Sequence, residues 1–312
     1  MGNEQYGAGG TMTLSTDAPA AWSAKRWRRS SGNLTRVCMI LPSVLLLILV
    51  IYIPLVLLLL RSFTEVTEGA GPFSNYRGLL ASEPVLRSYL TSFWLALATV
   101  VVVTFLGYPL AYWLAGIRPR LAAGLMLIVT VPFWTSLTVS VFAFQLVLGR
   151  DGPINRLLIA GRIVDEPAKL LFTSFSVLVG FVYIGLPLLV LPLYAAMRNI
   201  DRSLCRAAET LGATPTQAFC SVFLPLSLPG TVAGMTLVFI TTVGYFIVPQ
   251  LLGGKSENMI GQYILWTVRT GNDVPLAAAQ TVFLLLVVLV VLAVVDWLFG
   301  LKRFLSRGNE VG

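Results

Sequence analysis

The sequence predicts an all-α polytopic membrane protein with six transmembrane helices, and three observations carry that prediction. Of its 312 residues, 56% are hydrophobic and only 12% charged, with a mean hydropathy of +0.82. That leaves too little polar surface to cover a soluble globule of this size. The apolar residues gather into six stretches, 37–60, 89–117, 121–148, 171–197, 231–252 and 277–301. Each is long enough to cross a hydrocarbon core that needs about 20 helical residues. Finally, Lys and Arg are more numerous in the two termini and the connections on their side than in the opposite loops, the pattern that orients membrane proteins.

Residues 1–21 are rich in Gly, Ala, Ser and Thr, without apolar periodicity or a signal-peptide core, and are expected to form a disordered tail. Trp22-Ser-Ala-Lys25-Arg26-Trp27-Arg28-Arg29 interleaves two indoles with four cations just before the first stretch. This suits an interfacial cytoplasmic anchor, with rings at headgroup level and cations on the inner side. Prolines 42, 54, 109, 132 and 187 fall inside the apolar stretches and are expected to kink the helices rather than end the spans.

Placing both termini, the 118–120 turn and the 198–209 connection on one side gathers 13 Lys and Arg against 5 acids there, and 9 against 8 in the opposite loops. Both termini and the fourth connection are therefore expected in the cytoplasm. The basic balance of +8 belongs to this orientation, and no nucleic-acid signature accompanies it. With no histidine, His-based triads and Cys/His zinc sites are excluded. Cys38, Cys205 and Cys220 have no metal-ligand spacing, so no metal is expected.

Residues 199–230 form the patterned polar run of the second half. Asp201 and Ser203 suit the start of a short helix in which Leu204, Ala207, Ala208 and Leu211 share a face. Gly212 is placed to end it in a left-handed conformation. Thr214-Pro215 then fits an N-cap followed by proline at the first helical position, starting a second short helix toward Phe219 and Val222. Pro225, Pro229 and Gly230 are expected to prevent a straight continuation into the fifth span. Helix, glycine turn, helix and proline break make a compact lever, unless the segment merely packs on its own bundle.

Arg206-Ala207-Ala208-Glu209-Thr210-Leu211-Gly212-Ala213, followed by Phe219, Leu224-Pro225 and Pro229-Gly230, resembles the EAA loop of permease subunits in bacterial binding-protein-dependent ATP-binding-cassette (ABC) importers. The resemblance implies the type I importer permease fold, with these residues coupling to a cytoplasmic ATPase. Where the family has a glutamate this chain has Arg206, with Glu209 one helical turn later; whether Glu209 takes over that role stays open. Gly244-Tyr245-Phe246-Ile247-Val248-Pro249, Leu251-Leu252-Gly253-Gly254, Met259-Ile260-Gly261, Pro275-Leu276-Ala277-Ala278 and Gly152-x-Ile154-Asn155 are similar to the spermidine/putrescine-type subfamily.

The resemblance further implies a subunit of the bacterial inner membrane that is not itself an enzyme. Its implied partners are an ATPase dimer, a second and different permease, a periplasmic or extracellular solute-binding protein, and membrane lipid. ATP and magnesium would be used by the ATPase, with no cofactor on this chain. The expected organisation is a cytoplasmic tail and anchor at 1–36, a six-helix permease domain at 37–301 with the coupling loop 199–230, and a cytoplasmic tail at 302–312.

Tyr245 stands where several subfamily members carry an acid. It is expected, with Pro249, on the substrate pathway, where its ring can attract an ammonium group; bundle packing is the equal alternative. Opines, amino-acid derivatives, thiamine and iron are the other solutes considered. Gly254-Lys255-Ser256 imitates the end of a phosphate loop, but Pro249 occupies the place of its first glycine. Outside this class stand an ion-coupled secondary transporter and a membrane assembly protein without transport activity. The former needs ionisable groups at mid-membrane, and Asp296 is the one acid inside a predicted span, close to Trp297, Lys302 and Arg303.

Overall fold

The computed structural model describes residues 21–64, 71–254 and 257–299, with side chains from Ile40 onward. Two units are recognised, 1–57 and 58–312. The tail 1–20 and the 302–312 tail, with Lys302 and Arg303, lie outside the described residues.

The first helix, α1 (Ala21–Ser62), carries Pro42 and Pro54 within it. The basic anchor around Trp22 is thus the first part of a continuous helix. From Ile40 to Val56 its large apolar side chains are exposed, as befits a helix whose solvent is lipid.

The second unit is organised by three long helices, α3 (Glu83–Gly116), α8 (Ser174–Arg198) and α11 (Leu224–Gly244), which pack on one another. A second helix, α2 (Ser74–Ala81), precedes them, and α14 (Val274–Phe299) closes the chain. Small residues let the long helices approach closely. A Cβ on Gly185 would stand 3.0 Å from Val103, and one on Gly107 2.7 Å from Leu189. On Gly230 it would meet the Ala196 Cβ at 2.4 Å. The Gly230-x-x-x-Gly234 pair is therefore used inside the chain, where α11 lies against Leu189–Ala196 of α8.

The third predicted span, 121–148, is three helices rather than one: α4 (Pro119–Val129), α5 (Val131–Trp134) and α6 (Leu137–Leu148). Pro132 has no N–H for the Ile128 carbonyl, and its ring crowds that turn, so α4 ends at Val129. Span five breaks for the same reason. Pro249 excludes the Tyr245 carbonyl from helical pairing, and α11 stops at Gly244 before α12 (Ile247–Leu252) resumes. Five helices are long and apolar enough to cross a membrane among the described residues; the third of the six expected stretches is the one that the structure breaks into shorter helices.

Three apolar clusters result among the described residues, a small one of Leu79, Val85 and Ile260 and two larger ones. Val103, Leu114, Leu189, Leu193, Met197, Phe223 and Val238 fill one, beside the 199–230 segment. Leu95, Val141, Val177, Phe181, Val248, Leu252 and Met259 fill the other, where α6 and α12 cover α8. Gln145 ties these outer pieces by donating to the Leu251 carbonyl at 2.6 Å, and Ser176 donates to the Leu252 carbonyl at 2.7 Å.

The connections hold structure that sequence periodicity missed, namely α2, α7 (Pro153–Ala160) and α13 (Ile260–Arg269). Asn155 of the Gly152-x-Ile154-Asn155 motif is fully buried. Its amide donates to the Gly149 and Ala168 carbonyls and accepts from the Ala168 N–H, all within 3.1 Å. The motif is a staple for the 149–168 loop. Gly254 gives its N–H to the buried Glu257 carboxylate at 2.8 Å, so that amide serves a local turn and not a phosphate.

Candidate functional site: the 199–230 segment

The segment begins where α8 ends. Asn199 caps α8, and α9 (Ser203–Thr210) starts four residues later. Asp201 accepts the Ser203 N–H at 2.8 Å, supplying an acceptor for an otherwise orphaned helical donor. Hydrogen bonds from the Ser203 side chain and backbone hold this exposed carboxyl below the usual aspartate range, with the charge of Arg206 adding a smaller pull.

At the other end of α9, Gly212 has φ +95°. Its N–H bonds the Glu209 carbonyl at 3.0 Å and the Ala213 N–H bonds the Ala208 carbonyl at 3.1 Å. This pair of bonds is the Schellman closure that a left-handed glycine permits. Thr214 and Gln217 then form a reciprocal capping box, 2.9 and 3.3 Å, with Pro215 opening α10 (Pro215–Ala218). The two turns anticipated around Gly212 and Thr214-Pro215 are where the sequence places them.

The proline break is not. Helical backbone runs without interruption over Pro215–Gly244, because Phe219–Phe223 forms a single π turn between α10 and α11. The Leu224 N–H reaches the Phe219 carbonyl five residues back, and this wider turn lodges the Pro225 ring, which would crowd the Ser221 carbonyl of a regular α turn. Pro229 stays inside α11, and Gly230 is buried against α8. These three residues therefore join the segment to the fifth span as one rod.

Several side chains absent from the motif seat the segment on α3. Arg198 donates to the Ala115 and Ile117 carbonyls at 3.1 and 3.3 Å, a cation at the negative end of a helix. Arg202 lies over the Tyr112 ring at 5.9 Å, within reach of a cation–π attraction. Tyr112 meets Phe219 and Phe223 edge-on at 5.4 and 5.0 Å, and the Tyr108 and Ser227 hydroxyls share a 2.8 Å hydrogen bond. The signal in the sequence was a tyrosine pair at i, i+4 near the C-terminal end of a span, followed by arginines at 198 and 202.

What remains outward is the face the sequence singled out. Leu211 is 89% exposed and Leu204 48%; Arg206, Ala207 and Glu209 are exposed and Ala208 and Ala213 half-buried. The structure brings these residues together on α9 and its glycine turn, with Phe219 behind them. Tyr245 and Pro249 lie elsewhere, beyond the far end of the 21-residue α11, about 30 Å away along its axis. There Tyr245 is half-buried with its ring 6.2 Å from that of Phe181, and Pro249 is buried. Among the described residues no group of three or more potential metal ligands occurs.

Comparison with known proteins adds three findings. Residues 107–302 match the family described as binding-protein-dependent transport system inner membrane component. The spermidine/putrescine transport system permease protein PotB of Escherichia coli (strain K12) is 32% identical over 247 residues, covering 77% of this chain and 89% of that protein. The protein of the same name from Salmonella typhimurium (strain SL1344) is 32% identical, covering 77% of this chain and 85% of its own length. Among solved structures, a bacterial ABC transporter involved in the import of the acidic polysaccharide alginate has a chain of like fold. Its TM-score is 0.68 at 18% identity, covering 88% of this chain and 98% of that one.

Proposed function

The chain belongs to the family of binding-protein-dependent transport system inner membrane components, and from that premise we propose that it is the transmembrane permease subunit of an ATP-driven importer of the polyamine type. The amine class is supported by the two spermidine/putrescine relatives. The permease undertakes no covalent chemistry. ATP and magnesium are used by a cytoplasmic ATPase dimer, and this chain carries no cofactor of its own.

One observation carries the coupling role. A small helix with an exposed apolar stripe, Leu204, Ala207 and Leu211, is anchored to the ends of α3, α8 and α11 together. Push or pull on α9 is transmitted to three long helices at once, through Arg198 and Tyr112 to α3 and through the uninterrupted π turn to α11. Closure of the ATPase on ATP moves this segment and reorients the bundle between outward and inward access. The loops at 61–88, 150–170 and 253–276 receive the solute-loaded binding protein. A cleft of about 460 Å³ beside α13, lined by Gln250, Gln262, Tyr263, Trp266 and Arg269, gives the last of these a polar recess. Both termini and α9 face the cytoplasm, a second and different permease completes the pathway, and lipid covers the apolar outer faces.

The test is co-expression with the ATPase, second permease and binding protein, followed by putrescine and spermidine uptake into vesicles. Replacing Ala207 and Ala208 by tryptophan is expected to release the ATPase on purification and to lower uptake at least tenfold, about 1.4 kcal/mol of coupling. Retention of the ATPase with normal uptake would remove the coupling role. Uptake of neither amine, with uptake of an opine, amino-acid derivative, thiamine or iron, would move the chain to that solute.

A further inference from the structure

The break in the third crossing carries chemistry that the coupling segment does not use. Thr135 and Ser136 are both extended, ψ 143° and 126°, and separate α5 from α6. At this break the Thr135 hydroxyl lies 2.9 Å from that of Tyr183 on α8. Ser140 donates to the Thr135 Oγ1 at 3.2 Å and stands 3.5 Å from the Tyr183 hydroxyl. The Phe144 ring meets the Tyr183 ring edge-on at 5.3 Å. Three hydroxyls and two rings thus converge from two elements far apart in sequence.

Depth gives the cluster its meaning. Thr135 is near the centre of the stretch from α4 to α6, and Tyr183 is within one turn of the centre of Ser174–Arg198. Two independent spans therefore bring their mid-membrane hydroxyls to one place. The cluster is not sealed inside the bundle, since Thr135 and Ser136 are exposed and Tyr183 is half-exposed. Beyond the hydrogen bonds they make within the cluster, exposed hydroxyls keep lone pairs that lipid tails cannot satisfy and a water-filled route can. Along α8 the cluster also falls between the two larger apolar clusters, after Phe181 of one and before Leu189 of the other.

We propose that Thr135, Ser140 and Tyr183, with the Phe144 ring, form a transit site in the wall of the translocation route that holds a protonated amine during passage. The amine class rests on the functional reading above; the placement on the route does not. Hydroxyl oxygens accept hydrogen bonds from ammonium groups, and the aromatic faces attract the charge. Residues 121–149 and 170–197 contain no Asp, Glu, Lys or Arg, so no full counter-charge holds the amine there. Such a site binds weakly and releases readily, as a transit site requires.

Two measurements on the assembled importer in vesicles test the proposal. In a background with Cys38, Cys205 and Cys220 replaced by alanine, Thr135→Cys is treated with the cationic, membrane-impermeant thiol reagent MTSET, with and without ATP. Labelling in at least one state is expected, and absence of labelling in both, in intact complexes, would overturn the site. In the second, Thr135→Val, Ser140→Ala and Tyr183→Phe are combined and putrescine uptake is measured.

Maximal uptake is expected to fall about 5- to 10-fold. The half-saturating concentration, set by the binding protein, and the ATPase stimulation by loaded binding protein stay near wild type. Wild-type uptake by the triple variant would overturn the proposal. So would joint loss of uptake and ATPase stimulation, which marks a packing role. If the unmodified importer carries neither putrescine nor spermidine, the functional reading falls, and the labelling result alone decides whether this cluster lies on the route.

Discussion

Gly212 holds the coupling segment through backbone conformation alone. Nothing lies within 4 Å of the position a Cβ would take there, yet φ is +95°. Substitution is therefore costly for conformational reasons only, about 1–2 kcal/mol for an ordinary L-residue and more for a β-branched one. Gly212→Val is expected to abolish coupled uptake and ATPase stimulation while membrane insertion stays intact. Gly212→Asn, which tolerates the left-handed region, should retain part of both. Transport assays in vesicles beside a blot for membrane-inserted protein check this, and normal transport by the valine variant would refute the lever. Arg206 and Glu209 are both exposed on α9, so under the proposed coupling role either is available to the ATPase. The family's first glutamate is absent, but an acid remains one turn along the same helix.

At the scale of elements, α11 meets the coupling segment through a π turn and meets α8 through glycine. Its rigidity follows from the absence of the break that Pro225 and Pro229 suggest when read locally. Its close approach follows from Gly230, where a Cβ would lie 2.4 Å from the Ala196 Cβ and 3.2 Å from the Pro192 carbonyl oxygen. Gly230→Leu should force the two helices apart, an overpacking cost of about 1–3 kcal/mol. It is expected to lower the Tm of the detergent-purified complex, whereas Gly124→Ala, with nothing within 4 Å, leaves it unchanged or slightly higher. Equal melting of the two variants would contradict the close α8–α11 contact. Tyr112 is the hub on the α3 side, touching Phe219, Phe223 and Arg202; none of these contacts is readable from the motif.

For the whole molecule, the decisive question is the side of the membrane on which the 199–230 segment lies. Cys220 is free and exposed, and Cys205 is free and half-buried, so the chain carries its own reporter. With Cys38 and Cys205 replaced by alanine, an impermeant maleimide should label Cys220 in inverted vesicles and leave it unlabelled in right-side-out ones. Labelling only from outside would invert the topology. The distribution of cations is the argument for the cytoplasmic placement, since the two termini together with the 118–120 and 198–209 connections hold 13 of the 22 Lys and Arg.

Much of this architecture was legible because it follows from local rules. Apolar runs of membrane length, the left-handed Gly212 and the Thr214-Pro215 cap each depend on a few neighbouring residues. The fate of each proline was not legible. Pro132 and Pro249 break helices, Pro109, Pro187 and Pro229 do not, and Pro225 is lodged by a π turn. A proline only removes one donor and adds one clash; whether the helix survives depends on which neighbours take up the freed carbonyl. The sequence by itself determined the apolar stretches of membrane length and the two turns of the 199–230 segment, all properties of short stretches and their solvent. Only the tertiary structure decided that α11 runs unbroken into that segment, that Arg198 and Tyr112 seat it on α3, and that Thr135 meets Tyr183. Those are contacts between residues distant in the chain, and packing alone selects them.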